Sequence, residues 1–213
     1  MIIPQDQQCC GLPGMSGGDL ETVRELAEAN LKALEGHQAD YVMTACATCG
    51  GALHKLYPLV IGKRNPELKA RLQALADKTV DAAVLLQKLG LEPERTGAGA
   101  PFKITYHDPC HHRTAGIAKE PRALLKGTPG LDLVEMEGAD RCCGLGGTFN
   151  VYHYESSLQI NATKTEAIQA TGADAVVTGC PGCIMQLSDG LKQAGDKTQV
   201  LHTVELLARK IRG

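Results

Sequence analysis

Ala173-Asp174-Ala175-Val176-Val177-Thr178-Gly179-Cys180-Pro181-Gly182-Cys183 runs from a short apolar stretch straight into a pair of cysteines. The β-branched run bounded by Asp and Gly predicts a strand over 174–178, with Cys180 delivered at its C-terminal end. The same design stands 134 positions earlier, as Ala39-Asp40-Tyr41-Val42-Met43-Thr44-Ala45-Cys46 with Cys49 following. A second echo, Cys9-Cys10-Gly11-Leu12 against Cys142-Cys143-Gly144-Leu145, lies at an offset of 133. The chain therefore reads as two similar lobes, 1–95 and 102–213. The Gly/Pro-rich stretch 96–101 reads as a linker.

Outward from these strands the pattern alternates. In the first lobe Leu20, Val23, Ala27, Leu31 and Leu34 predict one apolar helix face, with Ser16 or Asp19 at its start and Gly36 at its end. Met1–Ile3 predicts the end of a strand stopped at Pro4, Asp40–Thr44 a buried strand, 49–61 a helix, and Asn65-Pro66-Glu67 a helix start with Pro at the first position. Residues 68–89 predict one broken or two short helices. In the second lobe 103–107 and 131–136 predict strands, 121–126 a short helix, and 184–192 another. Tyr154, Leu158, Ala162, Thr165 and Ile168 predict a helical stripe stopped by Gly172. A strand at 200–202 and an amphipathic helix at 204–211 close the chain. Strands alternating with helices predict an α/β fold in which each lobe is a small parallel sheet flanked by helices. The cysteine loops then share the C-terminal edge of the strands, where such sheets bind ligands.

All nine cysteines fall into two sets. One is Cys110, Cys142–Cys143, Cys180 and Cys183; the other is Cys9–Cys10, Cys46 and Cys49. An odd count with vicinal pairs argues against a secreted disulfide framework. Iron–sulfur ligation, zinc ligation, thiol–disulfide exchange and an inert core remain as readings. Vicinal side chains point to opposite faces of an extended chain, so they do not easily share one tetrahedral ion. They readily bind different irons of a larger cluster. Gly11 and Gly144 after the pairs permit positive φ and a close approach to a cofactor. Five thiols suit a multinuclear cluster, whereas the four of the first lobe also suit zinc.

Composition narrows the function. Aliphatic residues dominate, with no Trp and two Phe, as in a soluble globular core. A net charge of −2 offers no electrostatic case for nucleic acid. No apolar run is long enough for a transmembrane segment. Lys and Arg, spread along helices, read as solvated faces. His107 and His111 beside Cys110 are candidates for hydrogen-bonding a cofactor or passing a proton; His112 is a weaker one. Asp108 reads as a loop cap. His37, His54, His153 and His202 read as surface or packing residues.

The motifs resemble the cysteine-rich CCG domain family: a cysteine, some thirty to forty residues, Cys-Cys-Gly, a similar gap, then CxxC. Tyr106-His107-Asp108-Pro109-Cys110-His111, Asp140-Arg141-Cys142-Cys143-Gly144-Leu145-Gly146-Gly147-Thr148-Phe149 and Val200-Leu201-His202-Thr203-Val204-Glu205-Leu206-Leu207 are similar to the glycolate-oxidase and lactate-utilisation branch. The heterodisulfide reductase B subunit is related. The resemblance implies a noncubane [4Fe–4S] cluster on Cys110, Cys142, Cys143, Cys180 and Cys183. It implies a second on Cys9, Cys10, Cys46 and Cys49, completed by a cysteine that would fall about twenty-three residues before Met1. The expectation is a chain cut from a longer protein, with zinc as the alternative in the shortened lobe.

The implied function is electron transfer for a lactate or glycolate oxidoreductase in the cytoplasm, reaching the inner face of the membrane through partners. A flavin-containing dehydrogenase subunit would oxidise the hydroxy acid, and a quinone or another carrier would take the electrons. The competing readings are a heterodisulfide-reductase-like module that reduces a disulfide, and a zinc-binding interaction module.

Overall fold

The structure, a computed structural model, describes residues 1–90 and 101–211. The linker expected at 96–101 lies outside these residues except for Pro101. The chain divides into two compact units, one of 1–44 with 48–81, the other of 45–47 with 82–213.

The first unit holds helices α1 (Leu12–Ser16) and α2 (Leu20–Glu35), strand β1 (Val42–Thr44), and most of the short helix α3 (Ala47–Gly51). A π-helix over Ala52–Ile61, a 3₁₀ turn at Gly62–Arg64, helix α4 (Pro66–Lys78) and strand β2 (Thr79–Asp81) follow. Asp19 caps α2, accepting from Thr22 N–H at 3.1 Å. Asn65 caps α4, accepting from Leu68 N–H at 3.0 Å, with Pro66 at the first helical position. Val23, Ala27 and Leu31 pack with Leu53, Tyr57, Leu68 and Leu72 into the core. Leu20, expected on that face, is exposed at the helix start.

Three expectations for this unit are corrected. Met1–Ile3 forms no strand and is exposed, because the sheet of this unit consists of β1 and β2 alone. The expected strand at 40–44 shrinks to β1 and is not fully buried: it has one neighbour, the parallel β2, and Met43 is exposed. The helix expected over 49–61 changes character at Ala52. Pro58 has no N–H for an i→i−4 bond, and the wider π-turn accommodates it. Strand β2 separates α4 from the next helix and breaks the stretch 68–89 that the pattern predicts as helical.

The second unit contains α5 (Ala82–Lys88), β3 (Phe102–His107), α6 (Cys110–Thr114), α7 (Lys119–Gly127), β4 (Leu131–Leu133) and α8 (Phe149–Tyr152). It continues with α9 (Tyr154–Thr171), β5 (Ala175–Thr178), α10 (Pro181–Gln193), β6 (Gln199–His202) and α11 (Thr203–Ile211). Its sheet is fully parallel in the order β4-β3-β5-β6. β5 is buried throughout and β3 from Ile104 to His107, because both faces are covered at the centre of the sheet; β5 is largely apolar, whereas β3 buries Thr105 and His107 as well. Chain order runs outward in both directions from the β3–β5 pair, which makes the gap beyond their C-terminal ends the topological switch point.

The stripe expected on α9 is rotated. Tyr154 and Ala162 are exposed, and the buried face is Ser157, Asn161, Lys164, Thr165 and Ile168. Four of those five are polar because they serve the loop described next. Gly172 ends the helix in the left-handed conformation at φ 58°, as expected.

Candidate metal centre

The switch point carries cysteines on both sides. Cys110 follows β3, and Cys180 and Cys183 begin α10 directly after β5. The loop after β4 brings in Cys142 and Cys143. Cys143, Cys180 and Cys183 lie in one buried cluster with Met136, Val176 and Leu187. Cys183 hydrogen-bonds both Cys143 and Cys180. Cys110, half-buried, feels the charges of Cys143 and Cys180. The five cysteines from Cys110 to Cys183 are thus gathered at one sheet edge, although seventy-three positions separate the first from the last.

Each vicinal pair is split by the backbone. Cys142 is exposed and Cys143 buried; Cys9 is exposed and Cys10 buried. Gly144 N–H turns back to the Cys142 sulfur at 3.3 Å, and Gly11 N–H to the Cys9 sulfur at 3.4 Å. Gly144 has φ 100°, and a β-carbon there would stand 2.5 Å from the Ser157 carbonyl oxygen. Glycine is required at that turn.

The thiols share protons unequally. Hydrogen bonds from Cys142 and then Cys183 pull Cys143 far below the ordinary thiol range, against the opposing effect of burial. Cys142 and Cys183 are pushed up, each first by its bond to Cys143. Burial pushes Cys110 up. In the first unit, Cys10 is lowered to about 6, chiefly by a hydrogen bond from Cys49. Tyr57 OH donates to the Cys10 carbonyl at 2.9 Å, and Asn30 Nδ2 to the Cys9 carbonyl at 3.0 Å. Cys46, unlike Cys49, belongs to the second unit, where it packs against the Cys143–Cys180–Cys183 cluster.

Among the candidate histidines, His107 is buried; neither ring nitrogen makes a hydrogen bond of full geometry among the described residues, but the ring stands beside Cys143 and helps to lower that thiol. A ring nitrogen and the sulfurs of Cys143 and Cys183 all lie within 4.8 Å of one another. His111 Nδ1 is 3.6 Å from the Cys110 sulfur, and burial lowers its pKa. His112 is buried against Gly179, where no β-carbon would fit. His54 meets the Ala76 carbonyl at 3.0 Å, and His202 Nδ1 accepts from Val204 N–H at the start of α11.

Several supporting residues had no signal in the cysteine pattern. On α9, Asn161 Nδ2 donates to the Cys143 carbonyl at 2.8 Å, and Ser157 Oγ to the Gly144 carbonyl at 2.9 Å. Gln186 Nε2 donates to Ser157 Oγ at 3.1 Å. Lys164 Nζ donates to the carbonyls of Gly138 and Ala139. Their spacing, 157-161-164, is that of one helical face, but periodicity scored on apolar residues passes over a polar stripe. Arg122 grips Asp108 with two hydrogen bonds at 2.7 and 2.8 Å and reaches Glu135 at 2.8 and 3.0 Å. Its guanidinium lies 5.0 Å from the Tyr106 ring centroid. Asp108 is therefore the partner of an arginine rather than a loop cap. Arg122 and Lys164 are not solvated cations, because each joins loops at the sheet edge.

The donor set fits a multi-thiolate metal centre. Soft sulfurs converge, a buried imidazole stands within reach of two of them, and glycine opens the backbone at Cys143. A cavity of about 260 Å³ adjoins the exposed Cys142, lined also by Gly138, Arg141, Ile160 and Lys164.

Comparison with known proteins agrees with the motif reading. The model of the CCG family, described as a cysteine-rich domain, matches residues 1–54 and 104–188. The chain is 35% identical over 210 residues to the probable glycolate oxidase iron–sulfur subunit of Bacillus subtilis, covering 97% of this chain and 47% of that protein. It is 36% identical over 209 residues to the B subunit of the fumarate reductase (CoM/CoB) of Methanothermobacter marburgensis, covering 96% and 39%. It is 37% identical over 206 residues to lactate utilization protein A of a Geobacillus species, covering 96% and 84%. The chain thus spans less than half the length of the first two relatives and most of the third. With both copies of its vicinal-pair motif inside the matched segments, this chain belongs to the CCG cysteine-rich domain family.

Proposed function

We propose that this chain is the cluster-binding, electron-transferring part of an iron–sulfur subunit of a lactate or glycolate oxidoreductase. The observation that carries the reading is the convergence of Cys110, Cys142, Cys143, Cys180 and Cys183 at one switch point. Those five would hold a [4Fe–4S] cluster of noncubane form. Cys9, Cys10, Cys46 and Cys49 would contribute to a second site, for which zinc is the alternative. The names of the Bacillus and Geobacillus relatives support the same assignment.

A bound cluster supplies one-electron uptake and release. The protein's own residues bind and shield it. Cys143, Cys180 and Cys183 are buried, and His107 and the α10 N-terminus offer polar groups to the sulfurs. Oxidation of the hydroxy acid to the oxo acid releases two electrons and two protons. That step would fall to a flavin-containing dehydrogenase subunit, with a quinone or another carrier receiving the electrons. We place the assembly in the cytoplasm, at the inner face of the membrane through its partners. Among the described residues no helix is long and apolar enough to cross a membrane.

The cavity beside exposed Cys142 favours a second reading, a heterodisulfide-reductase-like site. There a substrate disulfide would take two electrons from a partner and two protons from solvent to give two thiols. Anaerobic reconstitution with iron, sulfide and zinc analysis and EPR tests the assignment. A brown protein whose second-unit signal disappears in Cys143→Ala supports it. A colourless zinc protein, or an unchanged spectrum and metal content in Cys143→Ala, rejects it. Turnover of a disulfide by the loaded protein would select the second reading.

A further inference from the structure

We propose that Lys164 is the counter-charge of the metal centre and raises its reduction potential, acting as a positioning residue for the Cys142–Cys143 loop. The inference rests on the cluster reading above and goes beyond its ligands. Lys164 projects from the middle of α9 and is 2% exposed, the one buried lysine among the described residues. A lysine is almost never buried without a reason, since desolvating an ammonium group is costly. Its partners are two carbonyls, those of Gly138 and Ala139, in the loop that leads to Cys142. Ala139 O also accepts from Asp108 N–H at 3.0 Å. One ammonium group thus ties the loop of the vicinal pair to the end of the strand that presents Cys110.

What separates Lys164 from its cationic neighbours is that no carboxylate cancels it among the described ion pairs. Arg122 is shared by Asp108 and Glu135, Arg113 lies 3.7 Å from Asp140, and Arg141 lies 4.0 Å from Glu137. Lys164 also lines the cavity at the Cys142 sulfur. Burial lowers its pKa, while the negative charges of Cys143, then Asp140 and Asp108, hold it up. The sulfur and the ammonium therefore feel each other through a poorly solvated interior, where a charge acts more strongly than in water. Adding an electron to a centre rich in thiolates adds negative charge, and a fixed positive charge nearby favours that state.

The test is an EPR-monitored redox titration of the anaerobically reconstituted 213-residue chain, comparing wild type with Lys164→Gln and Lys164→Arg. Lys164→Gln retains hydrogen-bond donors and removes the charge. At a fixed potential its ratio of reduced to oxidised centre should fall about tenfold, a shift of about 59 mV to lower potential for one electron. Lys164→Arg should stay at the wild-type potential. Unchanged potential in Lys164→Gln, or the same downward shift in both variants, overturns the proposal. If Lys164→Gln takes up no iron, Lys164→Arg decides: retention at the wild-type potential supports the counter-charge, and loss of iron from both shows a purely steric role and overturns it. A wild-type chain that takes up no iron and sulfide would instead remove the cluster reading itself.

Discussion

The side-chain oxygen of Asn161 fills the space that a β-carbon at Gly190 would need. Asn161 cannot swing aside. Its Nδ2 donates to the carbonyls of Cys143 at 2.8 Å and Gln186 at 3.2 Å, and its Oδ1 accepts from the Thr165 hydroxyl at 3.1 Å. Helix α10, which starts at the CxxC loop, packs on α9 through this contact. Helix propensity alone would make Gly190→Ala stabilising by about 1 kcal/mol. The contact predicts the opposite sign, a loss of about 2 kcal/mol, read as a lower urea midpoint at unchanged m. A neutral or stabilising result would show that Asn161 is not held where the structure puts it.

The two vicinal-pair glycines should respond differently. Gly11 and Gly144 both have positive φ, so alanine strains either turn by about 1 kcal/mol. At Gly11 the nearest atom to a new β-carbon is a side-chain methyl at 3.3 Å, whereas at Gly144 it is the Ser157 backbone oxygen at 2.5 Å. Gly144→Ala is therefore expected to cost about 2 kcal/mol more than Gly11→Ala. Equal losses in urea titrations of the two variants would contradict this.

Arg122 bridges two strand ends through Asp108 and Glu135, and the Asp108 carboxylate is only 10% exposed. Removing the guanidinium strands that carboxylate. Arg122→Met should destabilise by about 3 kcal/mol, and Arg122→Lys should recover less than half, because an ammonium cannot make the paired bonds. Full recovery by Lys would mean that charge alone matters. Thermal melts of the three proteins separate the cases.

The start of α4 offers a local control away from the sulfur sites. Asn65 Oδ1 accepts from Leu68 N–H at 3.0 Å. Asn65→Ala should cost about 1 kcal/mol and Asn65→Asp much less, since both Asn and Asp are good N-caps. Hydrogen exchange at Leu68 should quicken in the alanine variant and not in the aspartate one.

Two aspartates predict an acid limb of stability. Asp19 and Asp196 are both held below the ordinary value of 3.8, first by the side chain and then by the backbone N–H of Thr22 and Thr198 respectively. A depressed folded-state pKa adds stability that is present above the unfolded value and lost as pH falls through the folded one. Stability should therefore decline below about pH 3.8, and Asp196→Asn should flatten that decline. An unchanged slope between the two proteins in pH-dependent urea melts would exclude Asp196 as a contributor.

Much of the site was legible because its signals are local. The strand over Ala175–Thr178, the turn at Cys180-Pro181-Gly182-Cys183, and the glycine after each vicinal pair each follow from a few neighbouring residues. The failures have a common physical origin. Met1–Ile3 has strand composition, yet a strand exists only where another supplies hydrogen bonds, and no pattern within three residues reports that partner. Ser157, Asn161 and Lys164 were passed over because a buried polar face has the same period as a solvated one. What distinguishes them is the set of carbonyls they meet, in a loop about twenty residues away.

Taken alone, the sequence determined the repeated strand-to-cysteine design, the opposed faces of Cys142 and Cys143, and the glycine that turns the chain after them. These are consequences of backbone geometry over a few residues. Only the tertiary structure decided that Cys110, Cys143 and Cys183 meet, that hydrogen bonds from its neighbours pull Cys143 below the ordinary thiol range, and that Lys164 faces the same loop. Strand order in the sheet sets those relations: pairing β3 with β5 brings together loops some seventy residues apart, and burial then makes each charge there count.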